Sequence, residues 1–120
     1  MKYFFDTYAL VEIINQNKSY IKFADEIIIT TSLNISELYY YLLINYNQQT
    51  ADYWIKNLNL QFFNITPEIA VESARFRYKY KKMKLSYADC IGYILSLRNN
   101  LKFLTGDREF KNMKNVEFVN

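Results

Sequence analysis

Histidine is absent from this chain of 120 residues, and glycine, proline and cysteine are scarce, at two, one and one. Without imidazole there is no ready general base near neutral pH, no serine or cysteine triad of the usual kind, and no nitrogen ligand for zinc. Acid-base chemistry then falls to carboxylates, lysine, tyrosine or metal-bound water. Two glycines are too few for phosphate-cradling loops of the P-loop or dinucleotide type. The lone Cys90 excludes an intrachain disulfide and favours a reducing, cytoplasmic setting. Long apolar runs are missing too. Beyond the N-terminus the longest, Leu38 to Ile44, has seven residues, against the ~20 that a membrane-spanning helix needs. Met1 to Ile14 is apolar but interrupted by Asp6 and Glu12, so it reads as a strand and helix rather than a signal peptide. The expectation is a soluble cytoplasmic protein with no membrane contact.

Packing material, by contrast, is plentiful. Apolar residues make up 51% of the chain, with twelve Tyr, nine Phe and one Trp, which argues against disorder. A chain of this size buries roughly two-thirds of the surface its unfolded form exposes. That suffices for one core, so residues 1–120 read as a single domain.

Lys2 to Asp6 is a short aromatic run that reads as a buried strand, and Thr7 to Asn15 follows as a helix with Ala9, Leu10, Ile13 and Ile14 inward. Gln16 to Asp25 weakens into a loop and short helix. Glu26 to Thr31, rich in β-branched residues, supplies a second strand. Helices over Leu33 to Asn45 and Gln49 to Leu58 lead to a third strand, Gln61 to Ile65. Thr66-Pro67-Glu68 then announces a helix through an N-cap, a proline at the first position and an early acid, running to Lys82. Ser86 opens another helix, which feeds the strand Lys102 to Thr105, and Val116 to Val119 closes the chain. This alternation predicts a three-layer α/β/α sandwich around a central, mostly parallel five-stranded sheet.

Open α/β sheets hold ligands just outside the carboxyl ends of their strands. Asp6 and Asp107 end strands there, while Glu37 and Asp89 fall on the opening turns of helices at the same edge. Each also has a purely structural reading. Asp6 and Asp107 would cap the turns that follow them, Glu37 would close a capping box from Asn34, and Asp89 one from Ser86. If the four gathered at ~5 Å, each pair would repel by ~3 kcal/mol at an effective dielectric of ~20. Such a cluster needs protons or a cation. Oxygen donors without His or Cys favour Mg²⁺ or Mn²⁺ over zinc, and helix N-termini keep nearby carboxylates ionised. Gly92, one turn after Asp89, costs a helix ~1 kcal/mol relative to Ala. It reads either as a close approach of helix to sheet or as a simple packing choice.

The set Phe5-Asp6-Thr7, Ile35-Ser36-Glu37-Leu38, Leu85-Ser86-Tyr87-Ala88-Asp89 and Phe103-Leu104-Thr105-Gly106-Asp107, with Phe110 after it, resembles the PIN domain family. The likeness is to its short VapC-type toxins and spans essentially the whole chain. It implies a divalent-metal endoribonuclease, the toxin of a type II toxin-antitoxin pair, with Asp6, Glu37, Asp89 and Asp107 as the catalytic and metal-binding quartet. Mg²⁺ or Mn²⁺ would be the cofactor. Thr105 matches the polar residue that supports the fourth acid, with Ser86 and Thr7 as further supports. Glu109 lies where many relatives carry another acid and reads here as exposed. With no histidine, activation of the attacking water falls to the metal. The resemblance implies in-line attack that leaves a 5′-phosphate and a 3′-hydroxyl, a homodimer, and an antitoxin whose tail occupies the acidic cleft.

The net charge is only +3, but six of the cations lie between Arg75 and Lys84 with no acid among them. On a helix Arg75, Lys79 and Lys82 form one stripe and Ile69, Phe76 and Tyr80 an inward one. The stripe reads either as a solvated face or as RNA-binding residues that offset repulsion between an acidic site and a polyanion. Tyr39, Tyr40 and Tyr41 cannot all face the core of one helix. Two other acidic α/β classes fit less well. A receiver domain expects an acid beside Asp6 and a lysine where Thr105 stands, and an Asp-x-Asp phosphatase expects an acid at Tyr8. The remaining rival is a PIN-like module that binds RNA or protein without cleaving.

Overall fold

Successive side chains on a strand point to opposite faces of a sheet, and here both faces are apolar. Phe5, Ile28 and Leu104 enter one core, while Phe4, Ile29 and Phe103 enter another. The structure, a computed structural model, describes residues 2–25 and 27–120. Met1 and Glu26, the latter the expected first residue of the second strand, lie outside the described residues. The strands are β1 (Tyr3–Phe5), β2 (Ile28–Thr30), β3 (Leu60–Phe62), β4 (Lys102–Thr105) and β5 (Val116–Phe118). The helices are α1 (Thr7–Ile14), α2 (Lys18–Ile21), α3 (Ser32–Asn45), α4 (Gln48–Asn57), α5 (Pro67–Lys79) and α6 (Tyr87–Arg98).

All the strand pairs are parallel, in the order β3-β2-β1-β4-β5. The chain moves outward from β1 through β2 to β3, then crosses back to place β4 on the other side of β1. That reversal between β1 and β4 is the switch point at which such sheets open a crevice. Residues of α1 to α4 cover one face of the sheet, and α5 and α6 cover the other.

Local chemistry explains where the helices start. Among the described residues every α-helix begins on a side-chain cap: Asp6, Asn17, Thr31, Asn47, Thr66 and Ser86, a bond of ~1 kcal/mol each. Thr31, not Asn34, caps α3, so the expected Asn34–Glu37 capping box does not form. The third strand is also shorter and earlier than expected. After Phe63 donates its N–H to Thr30 at 3.0 Å, the chain leaves the sheet to reach the Thr66 cap. Helix α5 stops at Lys79 instead of Lys82, because a 3₁₀ turn over Lys81–Met83 follows and Lys84 takes a left-handed conformation with φ 55°. Lys82 therefore does not continue the stripe of Arg75 and Lys79. No helix among the described residues is long and apolar enough to cross a membrane.

Helix α6 is buried almost all round, from Ala88 to Ser96, and lies against the sheet at Gly92. A Cβ there would stand 2.6 Å from Phe4 Cε1 and 3.1 Å from Phe103 Cε1. Those two rings stack at 6.0 Å between centroids, and neither is exposed, so neither can swing away. Of the two readings of Gly92, close approach is the one the structure bears out. Gly92→Val should lower stability by ~1–3 kcal/mol through overpacking, read as a fall in the urea unfolding midpoint.

Candidate functional site

Strand register brings the first two acids together. Phe5 pairs with Leu104, and the Asp6 N–H donates to the Leu104 carbonyl at 3.3 Å, so the next residues on the two strands, Asp6 and Thr105, sit side by side. The Thr105 hydroxyl donates to the Asp6 carboxylate and accepts the Asp107 N–H at 3.0 Å. One buried threonine thus spans two of the acids. Asp6 Oδ1 also takes the Ala9 N–H at 2.8 Å, and Asp107 Oδ1 takes the Glu109 N–H at 3.0 Å.

Asp89 arrives from the helix behind the sheet. Its Oδ2 accepts the Ser86 N–H at 2.9 Å, while its own N–H donates to Ser86 Oγ at 3.0 Å, a complete capping box. Glu37 joins through threonine: Thr7 Oγ1 donates to Glu37 Oε1 at 2.5 Å and accepts from Asn34 Nδ2 at 3.1 Å. Behind it, Thr31 Oγ1 donates to Asn34 Oδ1 at 2.6 Å. Buried Asn34 is the residue that sequence reading missed. It appears there only as one more cap candidate, and nothing local reveals that its amide reaches across to α1.

Electrostatics separate the acids. Asp6 is 2% exposed, and burial pushes its carboxyl up to about 8 despite the Thr105 and Ala9 bonds, with repulsion from Asp89 and Asp107 adding to the rise. Burial also raises Asp89, opposed by its bonds to Ser86 and reinforced by Asp107. Asp6, Asp89 and Asp107 therefore share one electrostatic neighbourhood at the β1–β4 crevice. Glu37 is exposed at its rim, tied to the residue after Asp6.

Among the described residues, no three acidic, Cys or His side chains converge as a ready metal cage. The donor set nonetheless suits a hard divalent cation. It consists of carboxylate oxygens, one of them buried among like charges. Mg²⁺ typically keeps several waters and takes only one or two carboxylates, so a closed cage is not required.

The basic segment is split. Arg75, Lys79 and Lys82 are all exposed. Arg75 and Lys79 border a groove that also contains Glu72, Arg108 and Glu109, where acids dilute the positive field. Glu109 is exposed, as expected. Tyr40 is the outward member of its trio at 66% exposure, while Tyr39 and Tyr41 pack on the core.

An all-parallel sheet with carboxylates gathered at its switch point defines an α/β domain with an acidic crevice. The PIN domain family model matches residues 3–116, and the chain belongs to that family. No curated protein sequence matches it. Among solved structures it is similar to a chain of a toxin-antitoxin complex from Klebsiella pneumoniae, at 18% identity and TM-score 0.73, covering 97% of this chain and 96% of that one. VapBC2 from Rickettsia felis, bound to a DNA fragment from its promoter, gives 19% and 0.74 over 100% and 98%. VapC20 of Mycobacterium tuberculosis, a sarcin-ricin loop cleaving toxin, gives 12% and 0.78 over 98% and 97%. The expected fold is thereby borne out, with the sheet parallel throughout.

An aspartate whose folded-state pKa, about 8, lies above its ordinary 3.8 holds its proton more tightly folded than unfolded. The stability this contributes is complete below pH ~4 and is lost as pH rises toward ~8. In chelator, urea titrations from about pH 5 to about pH 8 should therefore show wild type losing stability relative to Asp6→Asn; a pH-independent difference would contradict the burial of this carboxyl.

Proposed function

We propose that this protein is a divalent-metal-dependent endoribonuclease, the toxin of a type II toxin-antitoxin pair. The observation that carries this reading is the buried Asp6 carboxylate held among Asp89 and Asp107 at the switch point of a PIN fold. Solved neighbours described as a toxin-antitoxin complex and as a sarcin-ricin loop cleaving toxin support it.

In this reading Asp6, Glu37, Asp89 and Asp107 hold Mg²⁺ or Mn²⁺. When bound, such an ion lowers the pKa of water and stabilises charge developing on a phosphate. The chain's own residues set up the site. Thr105 holds Asp6 and Asp107 in one orientation, Ser86 fixes Asp89 through the capping box, and Thr7, steadied by Asn34, turns Glu37 toward the crevice. Arg75, Lys79 and Lys82 add positive field that draws a polyanion toward an acidic edge. The partners are an RNA substrate, a cognate antitoxin covering the acids, and a second copy of the chain.

Purified protein should cleave RNA with Mg²⁺ or Mn²⁺ and lose cleavage in chelator or as Asp6→Asn. Equal cleavage by wild type and variant would remove the claim. An inactive binding module would instead retain RNA while cutting none. Metal at a hundred times its dissociation constant should add ~2.7 kcal/mol to stability, most of which Asp89→Asn should abolish in thermal melts.

A further inference from the structure

Beside the acids, on the other flank of Ser86, lies a pocket of different character. It has a volume of about 440 Å³, and its wall includes Arg77, Tyr78, Lys81, Lys84 and Tyr87 but no acid. Arg77 and Tyr78 come from the last turn of α5 and Lys81 from the 3₁₀ turn that follows it. Lys84 and Tyr87 come from the turn and first residue of α6. Among the described residues the one ion pair is Arg98 with Glu72, so Arg77, Lys81 and Lys84 carry uncompensated charge.

Two of the rings are unusually open for aromatics: Tyr78 is 73% exposed and Tyr87 55%. Each carries a cation on its ring. The Arg77 guanidinium stands 4.3 Å from the Tyr87 centroid and the Lys81 Nζ 4.8 Å from that of Tyr78. Arg77 is fixed in place, since its Nε donates to the Leu85 carbonyl at 2.8 Å. Leu85 and Tyr87 of the pocket flank Ser86, the cap of α6, and Asp89 of the crevice lies in that helix's first turn, so the pocket and the acidic crevice are neighbours across the α6 N-terminus.

Positive side chains without competing acids fit phosphate, and exposed rings backed by cations fit the face of an unpaired base. The volume lies within the ~300–1,000 Å³ of small-ligand pockets. We infer that Arg77, Lys81, Lys84, Tyr78 and Tyr87 form a subsite for one unpaired nucleotide of single-stranded RNA, next to the bond cut at the acidic edge. The inference rests on the nuclease reading for its choice of RNA. It moves the main phosphate contacts from Arg75, Lys79 and Lys82 to the other cations of the same segment, Arg77, Lys81 and Lys84. A duplex fits poorly, because its bases are not free to stack on protein rings.

The test is binding of a fluorescent single-stranded RNA of about ten nucleotides, by anisotropy, in the non-cleaving Asp6→Asn protein. Lys84→Gly keeps the left-handed backbone comfortable, so Lys81→Ala with Lys84→Gly removes two charges at low folding risk. That pair should weaken binding about tenfold and reduce the magnitude of the log-affinity against log-salt slope by ~1.4, for two single-strand phosphate contacts. A charge-matched control, Lys18→Ala with Lys56→Ala, should leave the slope unchanged. Tyr87→Leu should weaken binding about fivefold or more while Tyr87→Phe keeps it, as stacking on a ring requires. Equal loss in pocket and control pairs, no loss in the pocket pair, or equal affinity for duplex RNA would overturn the subsite. Cleavage by the wild type is scored separately. Normal cleavage with unaffected pocket variants sinks the subsite alone, whereas absent cleavage with pocket-dependent RNA binding sinks the nuclease and keeps the subsite.

Discussion

The burial of one carboxyl group organises this molecule. Asp6 ends the central strand of the sheet, is almost fully removed from solvent, and has two further acids within electrostatic reach. Ionised, it would suffer both desolvation and repulsion. The structure meets that cost only in part, through the Thr105 hydroxyl and the Ala9 N–H, and leaves its pKa near 8. Near neutral pH the group therefore keeps a proton, and a cation in its place is what the proposed function would supply.

The caps and the site are the same residues. Asp6 caps α1, Asp89 closes the capping box of α6, and Asp107 caps the short 3₁₀ turn after β4. The structural reading of these three acids is met in the folded chain, and it is compatible with the functional one proposed above. A cap fixes a carboxylate by one oxygen to a backbone N–H and so orients the group. Asp89 shows this most fully, with Ser86 bonded to it in both directions.

Much of this was legible in the chain, and the misses share a cause. The strand ends at Asp6 and Asp107 and the caps at Thr66 and Ser86 depend on residues near one another in sequence, whereas the choice between two readings of Gly92 needed Phe4 and Phe103, which lie far from it in the chain. Errors arose where distant contacts decide. The third strand lies earlier than the apolar run suggests because its register follows from Ile28 pairing with Leu60; the early end of α5 is the exception, set locally by the left-handed backbone at Lys84. Only an α5 continued to Lys82 would group that residue with Arg75 and Lys79. Asn34 could not be found at all, since its partner Thr7 lies 27 residues away.

The depth of α6 links the aromatic core to the acids. Gly92 lies three residues after Asp89, close to one helical turn or ~4.5 Å along the axis, and at Gly92 the helix rests on the Phe4 and Phe103 rings. Phe4 and Phe103 sit on β1 and β4, the strands that lead into Asp6 and Asp107. The ring contact therefore sets the height of Asp89 relative to the other two acids from below, while Ser86 sets its rotation from above. Tyr93, T-shaped against Phe103 at 5.7 Å and tilted against Phe110 and Phe76, ties α5 to the same cluster. The segment that carries Arg77 and the pocket beside Ser86 is thus referenced to the same rings as the carboxylates. A single aromatic cluster underlies both the negative crevice and the positive pocket, which is the arrangement that the proposed strand-binding subsite requires.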